Sequence, residues 1–155
     1  MINNIDLIHT KEAIELSKKC PKSNIAYSVG AILVTGDGQV FSGYSRETDL
    51  KNHAEEEVFL KALKSGLGIK DATLYSSMEP CSKRKSKEKS CSELIIKYGI
   101  AKLVFAASEP NNFVVCEGEK ILKEAGVEVI KHKEFEKQAL EVNKHIFHSG
   151  SKNRC

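Results

Sequence analysis

The 155-residue sequence has no tryptophan, two methionines and three prolines, and its four tyrosines and six phenylalanines amount to 6% aromatics. So sparse an aromatic set leaves little material for stacking successive bases. No apolar run approaches the ~20 residues that span a bilayer. Residues Met1–Asp6 lack the basic-then-apolar order of a secretory leader. These absences predict a cytoplasmic protein with no membrane segment. Nor is there a strong charge of one sign: 24 Lys+Arg face 21 Asp+Glu, a formal net charge of +3. That balance falls short of a dedicated nucleic-acid binder. The five cysteines are odd in number and unevenly spaced. They make a poor disulfide framework and, in a reducing compartment, read as free thiols or metal ligands.

What is present suits one compact domain over 1–148 with a polar tail over 149–155: 41% of residues are hydrophobic, enough for a core at this length. A first helix is expected over about 11–19, capped by Thr10 and stopped by Pro21. Tyr27–Val34 and Gln39–Tyr44 read as a hairpin turned at Gly36-Asp37-Gly38. A second helix starts near His53 and ends at Gly66. Ala72–Ser77 is a short strand, Cys91–Tyr98 a helix and Lys102–Ala107 a buried strand. Glu117–Ala125, Val127–Ile130 and Glu134–Ile146 complete an αββαβαβαβα order. That order implies an α/β fold, a mixed five-stranded sheet with helices on both faces.

In such sheets sites gather where strands end and helices begin, which is where His53, Cys81 and Cys91 fall. Zinc prefers imidazole and thiolate ligands, and a catalytic site takes three from the protein while keeping one position for water. Cys91 precedes a helix, whose free N–H groups favour a thiolate. Glu55, two residues after His53, sits roughly 200° around the helix axis. It therefore reads as a proton-moving base beside the metal and not as a ligand. Cys20, Cys116 and Cys155 lie apart from these elements and have no role in this reading.

His53-Ala54-Glu55 with Pro80-Cys81 and Cys91 resembles the cytidine-deaminase superfamily, whose signature is H-x-E followed by P-C-x-x-C. Here nine residues, not two, separate the cysteines. That loop, with Met78-Glu79-Pro80-Cys81-Ser82, Val29-Gly30-Ala31 and Glu109-Pro110, looks like the riboflavin-pathway deaminases over roughly residues 10–145. Gly43-Tyr44-Ser45-Arg46-Glu47, Ser82-x-Arg84-x-Ser86 and Glu109-Pro110-x-x-Phe113-Val114 are similar to the fungal type. The resemblance implies a cytidine-deaminase-like three-layer sandwich and a stand-alone deaminase. It also implies Zn2+ as cofactor and, as substrate, a diaminopyrimidine carrying a phosphorylated ribityl chain. It places Asn24, Tyr27, Ser45, Arg46, Glu47, Ala54, Ser82, Arg84, Lys85, Ser86 and Glu109 at the substrate, with Arg84, Lys85 and Ser86 nearest the phosphate. A homodimer follows from the same resemblance.

Two rivals stand beside this reading. One is a nucleotide or tRNA-base deaminase of the same fold, with the lysine-rich loop holding phosphodiesters. The other is a non-catalytic zinc domain closed by His132, His145 or Cys116 as a fourth ligand.

Overall fold

The computed structural model describes residues 3–83, 87–108 and 117–148. The first helix, α1 (Asn4–Ser17), starts earlier than its apolar spacing suggests. Asn3 Oδ1 accepts the Asp6 N–H (2.9 Å) and Asp6 Oδ2 accepts the Asn3 N–H (3.3 Å), a reciprocal cap. Ile5 and Ile8 in this first turn are exposed, so no apolar stripe marks it. Thr10 is no cap; its hydroxyl donates to the Asp6 carbonyl one turn back (2.7 Å).

Strands β1 (Gly30–Val34) and β2 (Val40–Tyr44) form the hairpin, followed by α2 (Ala54–Lys64), β3 (Thr73–Met78), α3 (Cys91–Lys97) and β4 (Lys102–Ala107). Then come α4 (Gly118–Glu124), β5 (Glu128–Lys131), α5 (Glu136–Val142) and α6 (Lys144–His148). The strand order is β2-β1-β3-β4-β5, with β1 antiparallel to both neighbours and β3, β4 and β5 parallel. This is the mixed five-stranded sheet expected.

Alternation along each strand sends residues to two layers. Ala31, Leu33, Leu74, Leu103 and Phe105 pack with Val58 and Phe59 of α2, Ile95 of α3 and Leu122 of α4. On the other face Ile32, Tyr75 and Val104 meet Ala13 of α1, while Ala106 joins Ile14 of α1 and Ala139 of α5. At Gly30, where α1 crosses β1, a Cβ would lie 1.9 Å from the Ala13 carbonyl oxygen. The close approach of helix to sheet therefore requires glycine.

Two expectations shift for one reason. Tyr27–Val29 is not strand, because side chains take the backbone groups a ladder would use. Arg46 Nη1 donates to Tyr27 O (2.9 Å), and Ser45 Oγ accepts the Val29 N–H (3.1 Å). Asn143 brackets Ser28, its Oδ1 accepting the N–H (2.7 Å) and its Nδ2 donating to the carbonyl (3.0 Å). That inward turn of a fully buried Asn143 also splits the expected last helix into α5 and α6. The expected polar tail 149–155 lies outside the described residues, among which no helix is long and apolar enough to cross a membrane.

Asp6, Tyr75 and Lys102 join α1 to the sheet: the Tyr75 hydroxyl donates to Asp6 Oδ1 (2.6 Å) and Lys102 Nζ to Oδ2 (2.9 Å). Burial alone would raise the Asp6 carboxyl, but these donors and the Lys102 charge hold it below the ordinary value of 3.8. A carboxyl lowered by folding stabilises the fold above that ordinary value and loses its contribution as pH falls through the folded one. Asp6→Asn is expected to cost about 2 kcal/mol at neutral pH. In urea denaturation the gap to wild type should close as pH falls below 3.8. Asn143→Ala strands two buried backbone groups and should cost about 2–3 kcal/mol in the same assay.

Candidate metal centre

The site lies at the end of β3 where α2 and α3 begin. His53 is the residue before α2, Cys81 follows β3 by three positions, and Cys91 opens α3. Each is placed by local chemistry. Glu56 Oε1 accepts the His53 N–H (2.8 Å), closing the start of α2. Pro80 ends the ladder, so the chain leaves the sheet before Cys81. Ser90 caps α3 through the Glu93 N–H (3.1 Å), presenting Cys91 at a helix start.

The three donors converge. His53 Nδ1 lies 3.6 Å from Cys81 Sγ and 3.3 Å from Cys91 Sγ, and all three ligand atoms fall within 4.8 Å of one another. Tetrahedral zinc with bonds of ~2.3 Å to sulfur and ~2.05 Å to nitrogen would set these S–N separations near 3.6 Å. The donor set and its spacing therefore fit zinc. Among the described residues no fourth His, Cys, Asp or Glu joins the group. His132 is buried against Phe135, and His145 Nε2 pairs with the Ser23 carbonyl (2.8 Å), so neither closes the site as the non-catalytic reading requires. Cys116, the third candidate, lies outside the described residues.

Electrostatics favour a thiolate. Cys81 is drawn well below the ordinary thiol range, first by the hydrogen bond from the Cys91 side chain and then, against burial, by His53. The Cys91 N–H also donates to Cys81 Sγ (3.2 Å). Glu55, second residue of α2 and only 3% exposed, stands outside the ligand cluster. Burial pushes its carboxyl up to about 7; His53 opposes that and Cys81 adds to it. A carboxyl in this state can both accept and release a proton near neutral pH.

Glu56 and Glu57 escaped the sequence reading. Glu57, 1% exposed, accepts the Thr48 N–H (2.8 Å) and hydroxyl (2.7 Å), tying the 45–53 loop to α2. Glu56 Oε2 accepts from Lys87 Nζ (2.9 Å), and Asn52 Oδ1 accepts from the same ammonium. Lys87 is thus fastened to the residue that caps His53. A Glu three positions after a helix start was the available signal for Glu56.

Of the other candidate residues, Arg46 has a positive φ of 62° and spends its guanidinium on Tyr27 O, Pro21 O (2.8 Å) and Ser28 Oγ (3.2 Å). Glu47 pairs with Lys61 (2.8 Å), and Ser45 is buried with its hydroxyl on the Val29 backbone. Ala54 is fully buried at the start of α2, and Ser82 Oγ accepts the Glu117 N–H (3.3 Å). Asn24 is exposed and lines a cavity of about 890 Å³ between α1 and α5; none of His53, Glu55, Cys81 and Cys91 lines it. Tyr27 is half-buried beside Ile14 and Met78. Arg84, Lys85, Ser86 and Glu109 lie outside the described residues.

With this geometry in place, comparison with known proteins is informative. Residues 4–107 match the family model for the cytidine and deoxycytidylate deaminase zinc-binding region. The diaminohydroxyphosphoribosylamino-pyrimidine deaminase of Schizosaccharomyces pombe is 42% identical over 83% of this chain, which spans 32% of that protein. A protein of the same name from Buchnera aphidicola (subspecies Acyrthosiphon pisum) is 31% identical over 92% of this chain and 93% of its own length. Among solved structures, the Aspergillus oryzae Rib2 deaminase (C-terminal deletion mutant, pH 4.6) superposes with a TM-score of 0.75 at 27% identity, covering 96% of this chain and 94% of that one. The His53, Cys81 and Cys91 cluster falls within the matched region, and this chain belongs to the cytidine and deoxycytidylate deaminase zinc-binding family.

Proposed function

We propose that this protein hydrolytically deaminates a diaminopyrimidine carrying a phosphorylated ribityl chain, in riboflavin biosynthesis. The observation that carries the reading is the buried Glu55 beside a His53–Cys81–Cys91 cluster of zinc dimensions. The two relatives named as deaminases of a phosphoribosylamino-pyrimidine support the substrate class.

In this proposal His53, Cys81 and Cys91 would hold zinc, which when bound would supply Lewis acidity. Glu55 takes a proton from the attacking water as the water oxygen adds to the amine-bearing ring carbon. The same carboxyl then delivers protons to the ring nitrogen and to the departing amine, so that water and substrate become a ring carbonyl and ammonia. A carboxyl near pKa 7 is matched to both transfers. Burial of the Glu55 side chain and of Ala54 at the start of α2 keeps bulk water from competing for the proton.

Asn24, Tyr27 and Ser82 are assigned to the substrate, with Ser45, Arg46 and Glu47 shaping the wall behind them. Arg84, Lys85 and Ser86 between the cysteines are assigned to the phosphate, whose oxygens suit cationic and hydroxyl donors, and Glu109 to the ring edge. The protein is assigned to the cytoplasm as a homodimer on the family resemblance.

Ammonia release is the direct test. Ribityl and ribosyl forms of the diaminopyrimidine phosphate should be supplied beside CMP, dCMP and a tRNA. Turnover of the ribityl phosphate is expected, and Glu55→Ala should lower it by about 10²–10⁴-fold with zinc still bound. Turnover of the ribosyl form alone would reassign the side chain, and turnover of CMP, dCMP or tRNA alone would move the substrate elsewhere in the family. A chelator should abolish activity, and added zinc should restore it.

A further inference from the structure

The corner that carries Cys81 is gripped from outside the ligand set, by the first residues of α4. Glu79 leaves the sheet with its N–H on the Ala107 carbonyl (2.8 Å) and turns its side chain toward α4, where Oε2 accepts the Glu119 N–H (2.9 Å). The buried Pro80 carbonyl meets Gly118 so closely that a Cβ there would lie 2.1 Å from the oxygen. Ser82 Oγ accepts the Glu117 N–H (3.3 Å). Three consecutive residues, Glu117, Gly118 and Glu119, thus hold Glu79, Pro80 and Ser82, the residues on either side of Cys81. From the remaining side Ser92 of α3 holds the Cys81 carbonyl through its N–H (3.1 Å).

The start of α4 could have been satisfied locally, yet Glu117 in the capping position makes no side-chain cap bond. The acceptor comes instead from Glu79, 40 positions away and two residues from Cys81.

We propose that Glu79 is a positioning residue of the metal centre: through the first turn of α4 it fixes where Cys81 Sγ stands relative to His53 Nδ1 and Cys91 Sγ, and Gly118 is the contact that lets α4 come close enough. The proposal rests on the reading of His53, Cys81 and Cys91 as the zinc ligands. Partners behind the ligands of a metal site govern its affinity as well as its shape.

The test is zinc affinity by chelator competition, together with the thiolate-to-metal absorption of the cobalt-substituted protein and thermal denaturation of the same samples. Glu79→Ala is expected to weaken zinc binding by about 10–100-fold and alter the cobalt spectrum, whereas Glu79→Gln, which keeps an acceptor oxygen, stays within about threefold of wild type. If Glu79→Ala does not fold, Glu79→Asp, whose oxygen is withdrawn by one methylene, carries the same expectation, and so does Gly118→Ala. Wild-type affinity and spectrum in these variants, with only a lowered melting temperature, would overturn the proposal. Cys81→Ser in the same assay separates the two readings: zinc held as tightly as by wild type would remove Cys81 from the ligand set itself.

Discussion

Two sulfurs and an imidazole crowd into one buried spot, and negative charge gathered there must be answered within the protein. The answer is built from backbone. Two helices, α2 and α3, begin at the same end of β3, and their first turns bring backbone N–H groups to the place where charge is wanted. The Cys91 N–H on Cys81 Sγ is the most direct of these contacts. Much of the architecture can be read as serving that convergence. Parallel pairing of β3 with β4 aligns the strand exits, and Pro80 turns the chain out of the sheet. The Glu56 carboxylate on the His53 N–H keeps the first turn of α2 from fraying.

Three successive carboxylates, Glu55, Glu56 and Glu57, follow His53, and all are buried. A helix start tolerates acids, but each of these has a separate task. Glu57 closes the preceding loop through Thr48, and Glu56 holds both the His53 backbone and Lys87. Glu55 sits where burial raises its carboxyl to about 7. Position on the helix separates the three, since successive residues point ~100° apart. The contact between Glu56 and Lys87 also means that Lys87 and the His53 backbone share one carboxylate.

The metal centre was legible in the sequence because its information is local: the ligand types, the proline before Cys81 and the helix starts at His53 and Cys91 can all be read along the chain. The sheet and its helices were legible for the same reason, since periods of 2 and 3.6 are local signals. The Tyr27–Val29 segment was not, because Arg46 and Asn143 deny it strand pairing from 19 and 115 positions away. The start of α1 was hidden because its cap is Asn-x-x-Asp and its first-turn isoleucines face solvent. Ser45, Arg46 and Glu47 were placed at the substrate by resemblance alone. Their engagement with Val29, Tyr27 and Lys61 is tertiary and leaves no trace in spacing.

Arg46 is bound by two demands that pull in opposite directions. Its backbone occupies the left-handed region, where glycine or asparagine would sit with least strain. Its side chain must reach Pro21, Tyr27 and Ser28 at once, which a forked guanidinium can do and a lysine ammonium cannot. No single residue satisfies both, so the chain tolerates the strain to keep the reach. Position 46 is therefore a place where substitution toward a more comfortable backbone would loosen the hold on Pro21, Tyr27 and Ser28, and where comfort and fitness diverge.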